Sequence, residues 1–479
     1  MIEISFEQKN DLGLKYVRDR LETVCPYGGK RLKEEGFYSP RQKEELEREL
    51  DNVSLLLAAL KSCEDEVLDL RHRLSGLKEL TASITGCESR ALSEVELFEL
   101  TALCRRFQAL IPKAQALPGY EKLAEIDFQP VDGPLRILDP SGSGRLSFYV
   151  EDERTPELAK ARRQKRTLEK QLKEADAPRE MLLRSRQEAV KAEEDALSQI
   201  YADMSLALRP YTGLLLNNTG AAGRLDAALA KALLARRCGC CRPGTGGEDL
   251  ELTEAVHPQI AAALEERGRS FVPVTAHLPR GVTVLTGANM GGKSVAMKTI
   301  VLNTALALSG CFVFAKAAQI PMFDRLELIN RDFTDTARGL SSFGGEILRF
   351  NEAAKHLEEG DFSFIAMDEF ARGTNAQEGA AIARGVVRYL SDKKAVTLLA
   401  THYDGTAQLA ARHYQVRGLR NLPEGEHGGG TETDRLRRIE QAMDYGLIPV
   451  ENEADCPRDA LRICEMLGME EEILKAIRE

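Results

Sequence analysis

One octapeptide constrains this chain more than any other stretch. Gly287-Ala288-Asn289-Met290-Gly291-Gly292-Lys293-Ser294 satisfies the spacing G-x-x-x-x-G-K-[ST]. It follows the apolar run VTVL at 282–285 and opens KSVAMKTIVLNTALALSG at 293–310, which reads as a helix. A strand that turns through glycines into a helix aims several backbone N–H groups at one point, where an anion can rest. These eight residues, with Val295 behind them, are the candidate phosphate cradle. Lys293 would bring positive charge to the β/γ oxygens of a nucleotide, and the Ser294 hydroxyl can ligate Mg²⁺. The bland alternative is a glycine-rich turn with no ligand.

Two further apolar runs end in reactive side chains. Residues 362–369 (FSFIAMDE) read as a buried strand closed by Asp368 and Glu369. Asp368 is expected to hold Mg²⁺ through water from the end of a strand neighbouring the cradle, and Glu369 to polarise the attacking water. Residues 395–402 (AVTLLATH) read as another strand, whose closing His402 could hydrogen-bond the γ-phosphate or that water. Alone, paired carboxylates at a strand end are usually just solvated, and a strand-end histidine is usually incidental. It is the combination with the cradle that points to ATP hydrolysis with Mg²⁺.

The remainder sets the frame. A chain of 479 residues exceeds a single core, so two to four domains are expected. Residues 1–130 read as helical; at 41–74 apolar residues recur at three- and four-residue steps, as in Leu46, Leu50, Val53, Leu57 and Leu60. The segment 131–147 (VDGPLRILDPSGSGRLS) reads as turns with a possible short hairpin. Residues 155–202 read as two long charged helices joined near Pro178, and 224–237 as another helix. From about 250, strands alternate with helices, including one at 377–391, which argues for a parallel α/β sheet. The expected fold is an α/β P-loop (ABC-like) ATPase domain at 249–421. It is preceded by an all-α core and lever domain at 1–248, with a short clamp about 150–200. A glycine-rich loop at 422–432 leads to a helical pair over 434–479, a segment expected to support dimerisation. No secretory signal and no apolar run near 18 residues is evident, so a cytoplasmic protein without membrane contact is expected. Cys238, Cys240 and Cys241 lack the second pair or His partners of a zinc site and read as reduced thiols.

VLTGANMGGKS, FIAMDEFARGT and LLATHY resemble the MutS family of DNA mismatch-repair ATPases. The resemblance is strong from Leu252 to Leu409 and moderate over 8–250. It implies that Phe271, ahead of Val272-Pro273, stacks on adenine; the alternative is a core phenylalanine. It matches His257-Pro258 to a turn near the base, and Ser341, Ser342, Phe343 and Glu346 to the segment that reaches the partner subunit's site. Arg372-Gly373-Thr374 would lie where a loop crosses between subunits. A homodimer is thereby implied. The chain departs from the family at Ala288, Val274-Thr275, Val295, Gly344-Gly345 and Ala371, the last standing where the family has glycine. Because the core-like segment begins near residue 8, no mismatch-reading or connector domain is expected.

DNA contact is the open question. Residues 160–173 hold seven basic residues and one acidic one, Glu169. Lys160, Arg162, Arg163, Lys165 and Arg166 are the candidate phosphate contacts, non-specific for sequence; a solvated helix face is the alternative. The formal net charge is −10, without the basic balance typical of nucleic-acid binders. Two functions follow from the resemblance: a clamp on DNA or DNA structures, in mismatch repair or recombination, or an ATPase acting on a protein, such as a reactivating factor for a cobalamin-dependent aminomutase.

Overall fold

The computed structural model describes residues 4–142, 149–173, 179–287, 292–330, 342–419, 443–450 and 459–478. The first half is a run of helices: α1 (Phe6–Asp11), α2 (Leu14–Arg18), α3 (Pro26–Glu34), α4 (Lys43–Ser62), α5 (Glu64–Ser75), α6 (Thr81–Gly86), α7 (Glu94–Gln115), α8 (Asp132–Leu138), α9 (Pro156–Gln171), α10 (Arg179–Leu208) and α11 (Thr212–Cys238). Strands and helices then alternate. They are β1 (Gly244–Thr245), β2 (Leu250–Ala255), α12 (Pro258–Glu265), β3 (Val274–Leu278), β4 (Gly281–Thr286), α13 (Lys293–Leu308), β5 (Ala317–Ile320), β6 (Arg325–Ile329), α14 (Ser342–Glu358), β7 (Ser363–Asp368), α15 (Ala376–Ser391), β8 (Ala395–Ala400), β9 (Arg412–Leu419) and β10 (Met443–Pro449). Two short helices, Asp459–Leu467 and Glu471–Arg478, close the described chain. The contacts divide it into two compact units: Thr23–Glu34 with Ala58–Leu229, and Met1–Glu22 with Glu35–Leu57 and Ala230–Glu479.

The first unit is all-helical. Its central helix α7 starts at a capping box: the Ser93 side chain accepts from Glu96 N, and Glu96 accepts from Ser93 N at 3.0 Å. Leu97, Leu100, Cys104, Phe107 and Ile111 then bury one face at three- and four-residue steps. Residues 132–138 form α8, where the sequence suggests turns. The proline sits in the first helical turn, where its missing N–H leaves nothing unsatisfied. Gly133 is required there by proximity, since a Cβ would stand 2.4 Å from Tyr211 Cε1. The two charged helices of 155–202 appear as α9 and α10, packed on each other, and α11 starts at Thr212, well before 224.

The second unit holds two sheets. The larger has the order β10-β9-β4-β8-β7-β6, parallel except for β10 at its edge. The smaller has the order β1-β5-β2-β3 and is mixed. Every residue of β4 and β8 is buried, as expected for strands covered on both faces. Helix α13 is apolar nearly all round and buried from Thr299 to Leu308. In the same unit Lys231 is fully buried and ion-paired with Glu35 at 2.9 Å and Glu49 at 2.7 Å. Residues 443–449 lie within the stretch expected to be helical and form the edge strand β10, paired with β9.

Candidate functional site

The parallel strands deliver their functional ends to one level of the sheet. Leu285 of β4 and Asp368 of β7 both pair with Ala400 of β8. The Asp368 strand is thus not the immediate neighbour of the cradle strand; β8 lies between them. Two bonds beyond the ladder close this edge: Thr401 N donates to Leu285 O at 3.0 Å, and Glu369 N to Ala400 O at 2.9 Å. In open α/β sheets, ligands bind at this carboxyl edge.

Ala288, Asn289, Met290, Gly291 and Ser341 lie outside the described residues. Gly287 and Gly292 flank the cradle at φ +138° and +87°, conformations that glycine adopts without strain. Gly292 caps α13. The buried Lys293 turns back, its Nζ donating to Gly287 O at 2.6 Å. The exposed Ser294 gives a hydroxyl hydrogen bond to the Asp368 carboxylate, and Val295 is half-buried behind it. Burial pushes the Asp368 carboxyl above its ordinary range, against the Ser294 hydrogen bond and the positive charges of Lys298 and Lys293. Its Oδ1 is buried with no hydrogen-bond partner among the described residues. Such a carboxylate oxygen, beside the Ser294 hydroxyl, is a donor set that fits Mg²⁺.

Glu369 and Ala371 adopt φ +52° and +64°, in the left-handed region. Such a conformation costs a non-glycine residue about 1–2 kcal/mol. The Glu369 carboxylate is ion-paired with Arg372. His402 is exposed at the end of β8, with its imidazole held below the ordinary value mainly by partial desolvation, while the nearby Glu369 charge acts the other way. Glu346 of α14 is buried and accepts from Ala371 N at 3.0 Å, and Gly373 lies against Phe343.

Other sequence candidates sit elsewhere. Phe271 is half-buried in the segment before β3. Ser342 opens α14. His257 caps α12, accepting from Ile260 N at 3.4 Å, and is buried. Tyr445 of β10 was not singled out by sequence, yet its ring lies against Gly292: a Cβ there would stand 2.8 Å from Tyr445 Cδ1. On α9, Arg162 is buried and bonded to Asp152 at 2.7 Å and Glu193 at 3.0 Å. Lys165 pairs with Glu193 at 2.7 Å and Arg166 with Asp152 at 2.9 Å. Lys160, Arg163 and Lys170 are exposed, with no acidic partner among the described residues.

Residues 283–466 match the family model of MutS domain V. Over this segment the chain is similar to MutS domain V, which is an ABC-type ATPase domain. Three similar relatives are each named DNA mismatch repair protein MutS. That of Natronomonas pharaonis is 33% identical over 254 residues, 52% of this chain and 29% of the relative. That of an Anaeromyxobacter species is 35% identical over 266 residues, again 52% and 29%. That of Thermodesulfovibrio yellowstonii is 30% identical over 313 residues, 63% and 34%. The chain spans about a third or less of the length of the curated relatives it matches. The edge strands β10 and β9 both fall within the matched residues, as does the contact of Tyr445 with Gly292. Among the described residues no helix is long and apolar enough to cross a membrane.

Proposed function

We propose that domain V binds and hydrolyses ATP with Mg²⁺ in a homodimer, and that the cycle works a clamp on DNA. The observation that carries the chemistry is the shared level of Lys293, Ser294, Asp368, Glu369 and His402 at one sheet edge, with Asp368 Oδ1 lacking a donor among the described residues. In this reading Lys293 leaves Gly287 O for the β/γ oxygens of the nucleotide. Ser294 and Asp368 hold Mg²⁺, which neutralises charge developing on the phosphates. Glu369 orients and polarises the attacking water, and His402, kept largely neutral, bonds that water or the γ-phosphate. Phe271 stacks on adenine, while Ser341 and Ser342 reach the partner's nucleotide. The partition into a helical region to 248, an ATPase domain at 249–421 and a dimerising end from 422 belongs to the same proposal.

DNA contact in this reading rests on α9. Lys160, Arg163 and Lys170 share one helix face and remain available to phosphates. A second reading, in which the clamp acts on a metabolic enzyme such as a cobalamin-dependent aminomutase, is favoured by the ion pairs that occupy Arg162, Lys165 and Arg166.

ATPase turnover with and without duplex, mismatched and branched DNA tests both. Glu369→Gln is expected to lower turnover about a hundredfold or more while ATP still binds; equal rates would remove Glu369 from its role. Charge reversal at Lys160, Arg163 and Lys170 should abolish salt-sensitive DNA binding. DNA binding or stimulation that survives the reversal sinks the α9 assignment, and wild type that ignores DNA altogether favours the protein reading.

A further inference from the structure

The loop after Asp368 carries two left-handed residues within three positions, and neither is glycine. Strain of this kind persists only where neighbours over-determine the backbone. Here the neighbours grip a single residue from two sides. Glu346, on the first turns of α14, accepts from Ala371 N at 3.0 Å. Tyr403, directly after His402, donates its hydroxyl to Ala371 O at 3.0 Å. Both bonds are buried. Gly379 on α15 makes room for the phenol, since a Cβ there would stand 2.2 Å from Tyr403 Oη. The Tyr403 and His402 rings lie 4.4 Å apart, so one element orders both the histidine and the clamp.

We propose that Glu346 and Tyr403 are positioning residues for hydrolysis. By holding both polar groups of Ala371 they keep the loop in its left-handed course and so fix where Glu369 points. This rests on the reading of Glu369 as the group that polarises water. Tyr403 ties the loop to the strand of His402, and Glu346 ties it to the helix that follows residues 331–341. Sequence order hides this arrangement, because the two partners come from opposite sides of the loop, 25 residues before Ala371 and 32 after it.

The test is steady-state ATPase kinetics with a parallel measurement of MgATP binding by thermal shift, on the full chain. Tyr403→Phe removes one hydroxyl and keeps the ring. It is expected to lower kcat about ten- to a hundredfold, the range for a displaced catalytic group, with KM and the MgATP thermal shift unchanged. Glu346→Ala should do the same, and Glu346→Gln, which keeps an acceptor, should recover most of that loss. The two losses should be less than additive, since both act through one residue. Turnover of Tyr403→Phe within twofold of wild type, while Glu369→Gln is inactive, overturns the positioning role alone. Equal turnover of Glu369→Gln and wild type overturns both readings. Loss of MgATP binding in Tyr403→Phe and Glu346→Ala together would make the pair structural and also overturn the proposal.

Discussion

Replacing Lys231 with methionine keeps the stem and removes the ammonium from between two carboxylates. Lys231 is 1% exposed in its side chain, and Glu35 and Glu49 are 8% and 9% exposed. At 2.9 Å and 2.7 Å each pair gains about 6 kcal/mol at an effective dielectric near 20. Most of that offsets the desolvation of three buried groups, so the intact triad contributes little net stability. Removing only the cation leaves two like charges buried side by side. The expected loss is about 3–5 kcal/mol, the range for breaking a buried pair. Urea unfolding followed by circular dichroism measures it, with Lys231→Met/Glu35→Gln/Glu49→Gln as the second arm. The triple variant should recover most of the loss, because no unpaired charge remains. A loss below about 1 kcal/mol in the single variant would refute the electrostatic account. A triple variant as unstable as the single one would shift the cause to packing of the lysine stem.

Gly292→Ala places a methyl at φ +87° and 2.8 Å from Tyr445 Cδ1, so nucleotide binding should fall at least tenfold by equilibrium titration; Tyr445→Ala in the same background should restore part of it only if the ring is the obstacle. Burial pushes His257 down to about 4, below its ordinary 6.5. The unfolded chain therefore takes up a proton at higher pH than the native one, and stability is lost as pH falls from 6.5 towards 4, by about 2 kcal/mol at pH 5. His257→Asn, which keeps a capping acceptor, should lack that part of the slope, and parallel pH curves would count against it. Burial raises the Asp368 carboxyl, so its charge at neutral pH opposes folding in the absence of a cation. Asp368→Asn should melt at or above wild type without Mg²⁺ and lose the MgATP-induced thermal shift; a retained shift would argue against Asp368 as the metal anchor.

The catalytic edge was legible because each of its parts is local. Residues 282–285, 364–367 and 396–400 are buried, mostly apolar runs, and each leads into one of the candidate segments: the cradle, Asp368-Glu369 and His402. What escaped the sequence was set by distant partners. Residues 132–138 read as a turn because Gly133 and Pro134 usually mark one, whereas the glycine answers to Tyr211 and the proline to a helix start. Residues 443–449 contain Gly446 and Pro449 and show no clean alternation; pairing with β9 makes them a strand. Leu56 rather than Leu57 turns into the core, a one-position drift of the helical stripe. The charge run on α9 looked like one surface, but Glu193 lies 31 and 28 residues beyond Arg162 and Lys165 and takes both. The clamp on Ala371 was equally invisible, because its two partners lie 25 residues before it and 32 after it.

Strand β8 carries none of the candidate groups itself, since His402 lies two residues beyond its end, yet Ala400 is paired at once with the strand of the cradle and the strand of the carboxylates. It acts as the spacer that keeps both halves flush. Inserting or deleting one residue between Ala395 and Ala400 would leave every reactive group in the chain, but slide two of them about 3.3 Å out of step. Such a frame-shifted strand would disarm the site more thoroughly than many substitutions made directly within it.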